Sequence, residues 1–166
     1  MPAFSIERAA AAERPLLFRL MQLYFFDATR WSGEDILEDG LYDCDENGLQ
    51  SYFDAQGRDA AYILRVDGKP AGFALVEWIP FDGGHIREFA DLFVLPKYRR
   101  LGLAEAATRR IVLGTDGPWL VSVFRQDEGA LRYWQNAFSR LPFRSVRPGP
   151  QDDVFHLFIV NDTPAA

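Results

Sequence analysis

A short basic turn followed by small residues is the part of the sequence that could bind a phosphate. Lys97, Arg99 and Arg100 lie close together, and Gly102 and Ala104 follow directly. Glycine adopts backbone conformations closed to other residues and lets the main chain approach an anion closely, and alanine keeps that approach open. Free N–H groups at a helix start attract anions, and arginine and lysine add positive charge. The segment therefore predicts a binding site for a diphosphate group.

The basic turn differs from two common phosphate-binding loops. It lacks the Gly-Lys-Ser/Thr ending of an NTP-binding loop and the glycine spacing of a dinucleotide fingerprint. It follows a predicted strand that ends at residues 94–96, and it opens a helix with Leu103, Ala107 and Ile111 on one face. The context of strand, turn and amphipathic helix gives more weight to an anion site than the short pattern does alone.

Hydropathy periodicity predicts the elements that position this turn. Residues 60–66 and 70–78 predict two strands joined at Asp67-Gly68, a strong hairpin signal, and residues 86–94 predict a third strand. The other predicted elements are an edge strand at 4–7, helices at 15–26, from Gly102 and at 130–141, a buried strand at 119–124, and a last hairpin from 144–146 and 154–160. Strands with helices between them predict an α/β fold whose sheet is covered on both faces.

Composition limits the classes of function. The 166 residues fit a single domain, and the 48% apolar content is enough for one packed core. The formal net charge of −6 argues against a nucleic-acid-binding surface. No apolar run approaches a membrane span, and charged residues bracket the apolar patch at 9–12, so neither a membrane nor a signal segment is expected. The single cysteine, Cys44, cannot form an internal disulfide, and a cytoplasmic protein is expected.

The segment from Leu92 to Ala104, with its predicted strand and helix, resembles the acetyl-CoA-binding motif of the GCN5-related N-acetyltransferase (GNAT) superfamily. The order of predicted elements fits that fold from about residue 4 to about residue 160, so residues 1–166 are expected to form one such domain. The resemblance implies a mixed, mostly antiparallel central sheet of about six to seven strands with helices on both faces. It also implies acetyl-CoA as cosubstrate, no metal, and direct attack of an amine on the thioester in a ternary complex.

The resemblance also implies which residues contact the cosubstrate. Phe93, Val94 and Leu95 would present main-chain groups to the pantetheine arm, and an amide near Leu92 or Phe93 would polarise the thioester carbonyl. Arg99 would lie beside the pyrophosphate. The main-chain amides expected to hold that pyrophosphate are those of Arg100, Leu101, Gly102, Leu103 and Ala104.

Such a mechanism needs a base to deprotonate the amine, and Glu88 is the first candidate. It lies eleven residues before Arg99, where several members of the superfamily carry their base, and strand alternation predicts that it shares a face with Leu92 and Val94. The alternative is that Glu88 only pairs with Arg87 or another surface cation. The further candidates, in order, are Asp91, Glu77 and His85.

A general acid for the leaving thiolate is harder to assign. The superfamily often carries Asn-x-x-Ala-x-x-aromatic-Tyr on the helix after the fifth strand, and Ala130 aligns Asp127 with the asparagine and Trp134 with the tyrosine. Tyrosine donates a proton from its hydroxyl group and tryptophan has none, so three alternatives remain. Tyr133 takes over although helical geometry turns it about 100° from Trp134, water protonates the thiolate, or no acid is used.

The acceptor side is expected in residues 31–57, which are rich in acidic side chains and contain no lysine or arginine. Carboxylates beside aromatic residues could attract a cationic amine, on a small molecule or a peptide, although a solvated acidic surface explains the same run. Exposed strands and aromatic residues permit a homodimer.

A second class of function is a non-catalytic acyl-CoA-binding or protein-interaction module on the same fold. Trp134 at the tyrosine position favours this second interpretation, and the intact basic turn favours the enzyme. Transfer of an acyl group other than acetyl is a third possibility.

Overall fold

One seven-stranded sheet organises the fold in the computed structural model, which describes residues 1–163. The sheet has the order β1-β2-β3-β4-β5-β7-β6, and its only parallel pair among the described strands is β4 with β5. The prediction of a mixed, mostly antiparallel sheet is confirmed. The strands are β1 Phe4–Arg8, β2 Ala60–Val66, β3 Lys69–Phe81, β4 Gly84–Val94, β5 Trp119–Phe124, β6 Val146–Pro148 and β7 Phe155–Val160.

Helices cover both faces of the sheet, as expected. Helix α1 packs on one face, where Leu17 and Leu20 join Phe73 and Phe93 in a buried cluster. Helices α2 and α3 pack on the other face, with Trp134 in that core. The helices are α1 Arg14–Ser32, α2 Leu103–Thr108, extended by a π-helical turn at Arg109–Leu113, and α3 Glu128–Arg140, with a 3₁₀ helix at Asn47–Phe53.

Two Asp-Gly turns set the register of the central strands. Asp67 and Gly68 between β2 and β3 have φ of 49° and 76°, and Asp82 and Gly83 between β3 and β4 have φ of 47° and 76°. Positive φ at both central residues is the geometry of a type I′ hairpin turn. The hairpin predicted at Asp67-Gly68 is therefore confirmed, and the second one extends β3 beyond its predicted end at residue 78.

A β-bulge interrupts β4 at Ala90. Leu75 of β3 lies opposite Asp91 and Val76 lies opposite Phe89, which leaves Ala90 without a partner. A bulge of this kind bends its strand and shifts the alternation of side chains that follows it.

The bulge corrects one expectation about Glu88. Phe89 packs in the core below α2 and α3, and Leu92 and Val94 pack against the same core. Glu88 precedes Phe89 in a regular strand, so its side chain points to the opposite face. The prediction that Glu88 shares a face with Leu92 and Val94 is wrong, because the extra residue at position 90 reverses the alternation between them.

Beyond the bulge, β4 and β5 separate. Their parallel pairing covers only Arg87 with Trp119, Glu88 with Leu120 and Phe89 with Val121, although both strands continue further. The gap between the diverging strand ends passes from one face of the sheet to the other.

Candidate functional site

The divergence of β4 and β5 opens a cleft of about 350 Å³. It extends from α1 on one face of the sheet to α2 and α3 on the other, so a ligand could reach it from both sides. The polar and aromatic side chains that line it are Tyr24, Asp27 and Arg30 of α1, Asp91 of β4, Arg99, Ser122 of β5, Asp127, and Tyr133 and Trp134 of α3.

The edge of β4 offers main-chain groups to this cleft. The N–H of Leu95 donates to Ala71 O at 2.8 Å, and its carbonyl accepts from the N–H of Tyr98 at 2.8 Å, so both of its main-chain groups are in use. Alternation along an antiparallel pair turns the N–H of Phe93 towards β3 as well. The N–H groups of Leu92 and Val94 consequently point away from β3, towards the cleft.

The basic turn after β4 has the open geometry expected of an anion site. Arg100 and Gly102 have φ of 64° and 92°. Among residues 1–163, no atom lies within 4 Å of a Cβ built on Gly102, so this part of the chain leaves the space above it free. The first N–H groups of α2 have no partner within the helix. A second cavity of about 300 Å³ lies beside the turn, lined by Arg100, Gly102, Ala104 and Tyr133 among others. These features fit an anion such as a diphosphate group.

Arg99 lines both the cleft and the cavity beside the turn. Its Nη2 donates to Asp27 Oδ2 at 2.8 Å and its Nε donates to Val94 O at 2.9 Å. Asp27 also accepts from Arg30 at 3.1 Å. These contacts tie α1 to the end of β4 and lie at one wall of the cleft.

Asp91 is the carboxyl group that the bulge places in the cleft. It is partly buried, and Tyr24 of α1 lines the same cleft. Burial raises the pKa of Asp91 to about 6, the hydroxyl of Tyr24 opposes the rise, and the charges of Glu77 and Glu88 add to it. A carboxylate with this pKa can accept a proton near neutral pH.

Glu88, the first sequence-based candidate, lies next to the cleft rather than in its lining. It is the direct cross-strand partner of Glu77 and accepts a hydrogen bond from Ser122. Burial raises its pKa, the hydrogen bond from Ser122 lowers it, and the charge of Glu77 raises it. Glu77 accepts a hydrogen bond from the hydroxyl of Tyr52. His85 is exposed at the start of β4 and lines a separate, shallow pocket.

Tyr133 and Trp134 both line the cleft, but they differ in burial. Trp134 is 5% exposed and packs edge-on against Phe89, with ring centroids 5.7 Å apart. The hydroxyl of Tyr133 lies 2.8 Å from Thr108 Oγ1, which itself donates to Ala104 O at 2.9 Å. Thr108 has one hydroxyl proton, so Tyr133 must be the donor in their shared bond. Burial raises the pKa of Tyr133 to about 12.

Asp127 caps α3, because its Oδ1 accepts from the N–H of Ala130 at 2.9 Å. This side chain is therefore part of the helix start as well as of the cleft. An N-terminal aspartate stabilises a helix both by this hydrogen bond and through the helix dipole.

Sequence reasoning missed the contribution of α1 to the cleft. Tyr24 and Asp27 continue the inward stripe of Leu17 and Leu20 at helical spacing, but they are polar. Two polar residues on an otherwise apolar stripe could have indicated that this end of α1 faces a site rather than the core.

Two further observations concern residues 1–163. No group of three His, Cys, Asp or Glu side chains there could hold a metal ion. None of the helices in this part of the chain is both long enough and apolar enough to cross a membrane.

Comparison with known families gives a clear match. The family model described as the acetyltransferase (GNAT) family matches residues 19–113, which is more than half of the chain. No curated protein sequence matches significantly.

Solved structures share the fold at low sequence identity. An acetyltransferase from Thermus thermophilus has a TM-score of 0.66 at 17% identity, covering 95% of this chain and 96% of its own. The yncA protein of Salmonella typhimurium, solved with its cofactor acetyl-CoA, has a TM-score of 0.63 at 16% identity, covering 99% and 97%. An aminoglycoside acetyltransferase from an uncultured soil metagenomic sample, solved with sisomicin, has a TM-score of 0.56 at 19% identity, covering 92% and 93%.

Proposed function

Because the chain belongs to the acetyltransferase (GNAT) family, we propose that it transfers the acetyl group of acetyl-CoA to an amine of a small molecule or peptide. The observation that carries this proposal is the cleft between β4 and β5. It connects an open, basic, glycine-containing turn at one end with the partly buried carboxyl group of Asp91.

The basic turn would hold the pyrophosphate of acetyl-CoA. The positive φ of Arg100 and Gly102 and the free space above Gly102 support this assignment. Arg99 lines the cavity beside the turn and would lie beside the phosphates, with Asp27 as its ion-pair partner. The main-chain amides in this role are those of Arg100, Leu101, Gly102, Leu103 and Ala104.

The free edge of β4 would bind the pantetheine arm. Of the stretch Phe93, Val94 and Leu95, the N–H of Val94 is the donor that faces the cleft, since those of the other two residues face β3. The N–H of Leu92, two residues nearer the bulge, would stabilise the negative charge that develops on the thioester oxygen.

We propose Asp91 as the base that takes the proton of the acceptor ammonium group, and Glu88 as the alternative. Asp91 follows the bulge directly and neighbours Leu92, so the base and the oxyanion donor would lie next to each other. It lines the cleft, and its pKa of about 6 leaves it largely ionised at neutral pH. The freed amine nitrogen would attack the thioester carbonyl, the C–S bond would break, and CoA would leave as a thiolate.

Water is the proposed proton source for that thiolate. Tyr133 lines the cleft, but its hydroxyl proton is used in the bond to Thr108 and its pKa is raised to about 12. The alternative is that Tyr133 releases this bond and acts as the general acid.

The Tyr133→Phe variant distinguishes these two proton sources. With water as the source, kcat should fall by less than about threefold, because only the bond to Thr108 is lost. A general acid contributes about 10² to 10⁴ in rate, so a fall of at least about a hundredfold would assign the acid role to Tyr133. Steady-state kinetics at saturating acetyl-CoA measure the difference, and Tyr62→Phe, on β2 and outside both cavities, is the matched control.

A cationic acceptor fits the charge on the α1 side of the cleft. The negative charges of Asp91, Asp127 and Glu34 all raise the pKa of the Tyr24 hydroxyl. The two arginines of this wall, Arg30 and Arg99, are already paired with Asp27. The net negative field would concentrate a positively charged amine.

Release of the CoA thiol during incubation with an amine panel tests the proposed function. The panel should contain diamines, an aminoglycoside, amino acid esters and short peptides with free amino ends. We expect release with at least one cationic amine, accompanied by an acetylated product of the corresponding mass. Binding of acetyl-CoA without release for any amine would favour the non-catalytic binding module instead.

A further inference from the structure

Glu77 and Tyr52 form a hydrogen-bonded pair beside the cleft. Tyr52 lies on the 3₁₀ helix at Asn47–Phe53 and donates its hydroxyl proton to Glu77 of β3. Both side chains are partly buried. Tyr52 thereby fixes the position of a carboxylate that lines neither the cleft nor the cavity beside the basic turn.

The pair lies on the same face of the sheet as Asp91. Glu77 is the cross-strand partner of Glu88, whose side chain points to the α1 face. The charges of Glu77 and Glu88 both act on Asp91, and the charge of Asp91 acts on Tyr52. Leu75, the cross-strand partner of Asp91, lies two residues before Glu77 on β3, so the side chains of Asp91 and Glu77 are neighbours on one face of the sheet.

Hydrogen-bond donors without charge surround these carboxyl groups. The hydroxyl of Tyr52 donates to Glu77 and that of Ser122 donates to Glu88. The hydroxyl of Tyr24 lowers the pKa of Asp91. In residues 1–163 no basic side chain forms an ion pair with any of the three. The titratable groups that face Asp91 are Tyr24 of α1, Tyr52 of the 3₁₀ helix, Glu77 of β3 and Glu88 of β4. The other titratable or charged side chains that line the cleft are Asp27, Arg30, Arg99, Asp127 and Tyr133.

From this arrangement we propose that Glu77, held in place by Tyr52, is a positioning residue that sets how tightly Asp91 holds a proton. Its negative charge near Asp91 disfavours ionisation of that carboxyl group and makes Asp91 a stronger base. The inference rests on the proposed role of Asp91 in the transfer reaction. It assigns a function to two residues outside the lining of the cleft.

The sign of the expected effect follows from this charge. Glu77→Gln removes a negative charge and keeps an oxygen that can accept from Tyr52, so the pKa of Asp91 should fall. Activity requires ionised Asp91, so the acid limb of kcat/KM should move to lower pH by about 0.5 unit or more. The plateau rate should also fall, because a weaker base accepts the proton less readily.

Two readouts test the inference separately from the proposed function. Carbon-13 NMR titration of the aspartate side chains, with the Asp91 signal identified by its loss in Asp91→Asn, gives the midpoint of Asp91 without any acceptor. The pH profile of kcat/KM gives the same quantity during turnover. Glu77→Asp should lie between the wild type and Glu77→Gln, and Glu7→Gln on the exposed edge strand β1 is the matched control.

The possible results distinguish failure of the role of Glu77 from failure of the proposed acetyl transfer. An unchanged Asp91 midpoint in Glu77→Gln overturns the role of Glu77, whatever the activity of the protein. A midpoint that moves down in a protein with no acetyl transfer to any amine leaves the electrostatic coupling intact and overturns the proposed function. A parallel shift in the NMR titration and in the kinetic profile supports both.

Discussion

The Gly102→Glu variant should lose acetyl-CoA affinity by at least about 100-fold, equivalent to about 2.7 kcal/mol. Gly102 has φ of +92°, a conformation in which an L-residue is strained, and it directly precedes the first residue of α2. The new carboxylate would occupy the open space above residue 102, where we propose that the phosphates bind. Isothermal titration calorimetry with acetyl-CoA measures the change.

Gly83→Glu is the matched control for this substitution. Gly83 also has positive φ, at 76°, and also has no atom within 4 Å of a built Cβ. It lies in the β3–β4 turn, at the opposite end of β4 from the basic turn. The control therefore carries the same strain and charge, and its acetyl-CoA affinity should equal that of the wild type. Equal affinity of Gly102→Glu and wild type would contradict the assignment of the turn.

The Asp91→Asn variant should lose about 10² to 10⁴ in kcat, which is the usual contribution of a general base. Asparagine keeps the size of the side chain but cannot take a proton, so the Kd for acetyl-CoA should stay unchanged. In the wild type, kcat/KM should fall as the pH drops through about 6, because protonation of Asp91 removes the base. Asp91→Asn should lose this acid limb.

Glu88→Gln is the comparison that identifies the base. Glu88 lies beside the cleft lining and is hydrogen-bonded by Ser122, so its loss should lower kcat by less than about tenfold if Asp91 is the base. A large loss in Glu88→Gln together with a small loss in Asp91→Asn would assign the role to Glu88, the first sequence-based candidate. Thermal denaturation of both variants controls for changes in stability.

Most of the fold could be predicted because its signals are local. The Asp-Gly pair at residues 67–68 fixed one hairpin, and the predicted bounds of β2 and β5 equal the observed ones. Helix α1 runs to Ser32, past its predicted end at residue 26, because polar residues on its inward stripe obscured the periodicity. The glycine that ends α1, Gly33 with φ of 71°, is a local signal that the predicted helix end did not include.

The bulge at Ala90 could not be predicted, and it precedes Asp91, which lines the cleft where Glu88 does not. A strand with one extra residue has the same composition as a regular strand, since the signal lies in its pairing with β3. Regular alternation therefore placed Glu88 with Leu92 and gave Asp91 second place. The contribution of Tyr24 depends on the packing of α1 over β4, a contact between distant parts of the chain. The position of the basic turn, by contrast, could be predicted, because its glycine and basic residues stand between a predicted strand and a predicted helix.

Thermal denaturation with acetyl-CoA, CoA or ATP tests most directly whether the cleft binds acetyl-CoA. Ligand at a hundredfold excess over its Kd stabilises the folded protein by about 2.7 kcal/mol, which is a rise of about 5–10 °C in Tm for a chain of this size. We expect this rise with acetyl-CoA and with CoA, and none with ATP. No rise with either CoA species would show that the turn is only a helix start, and the proposed acetyl transfer would then be wrong.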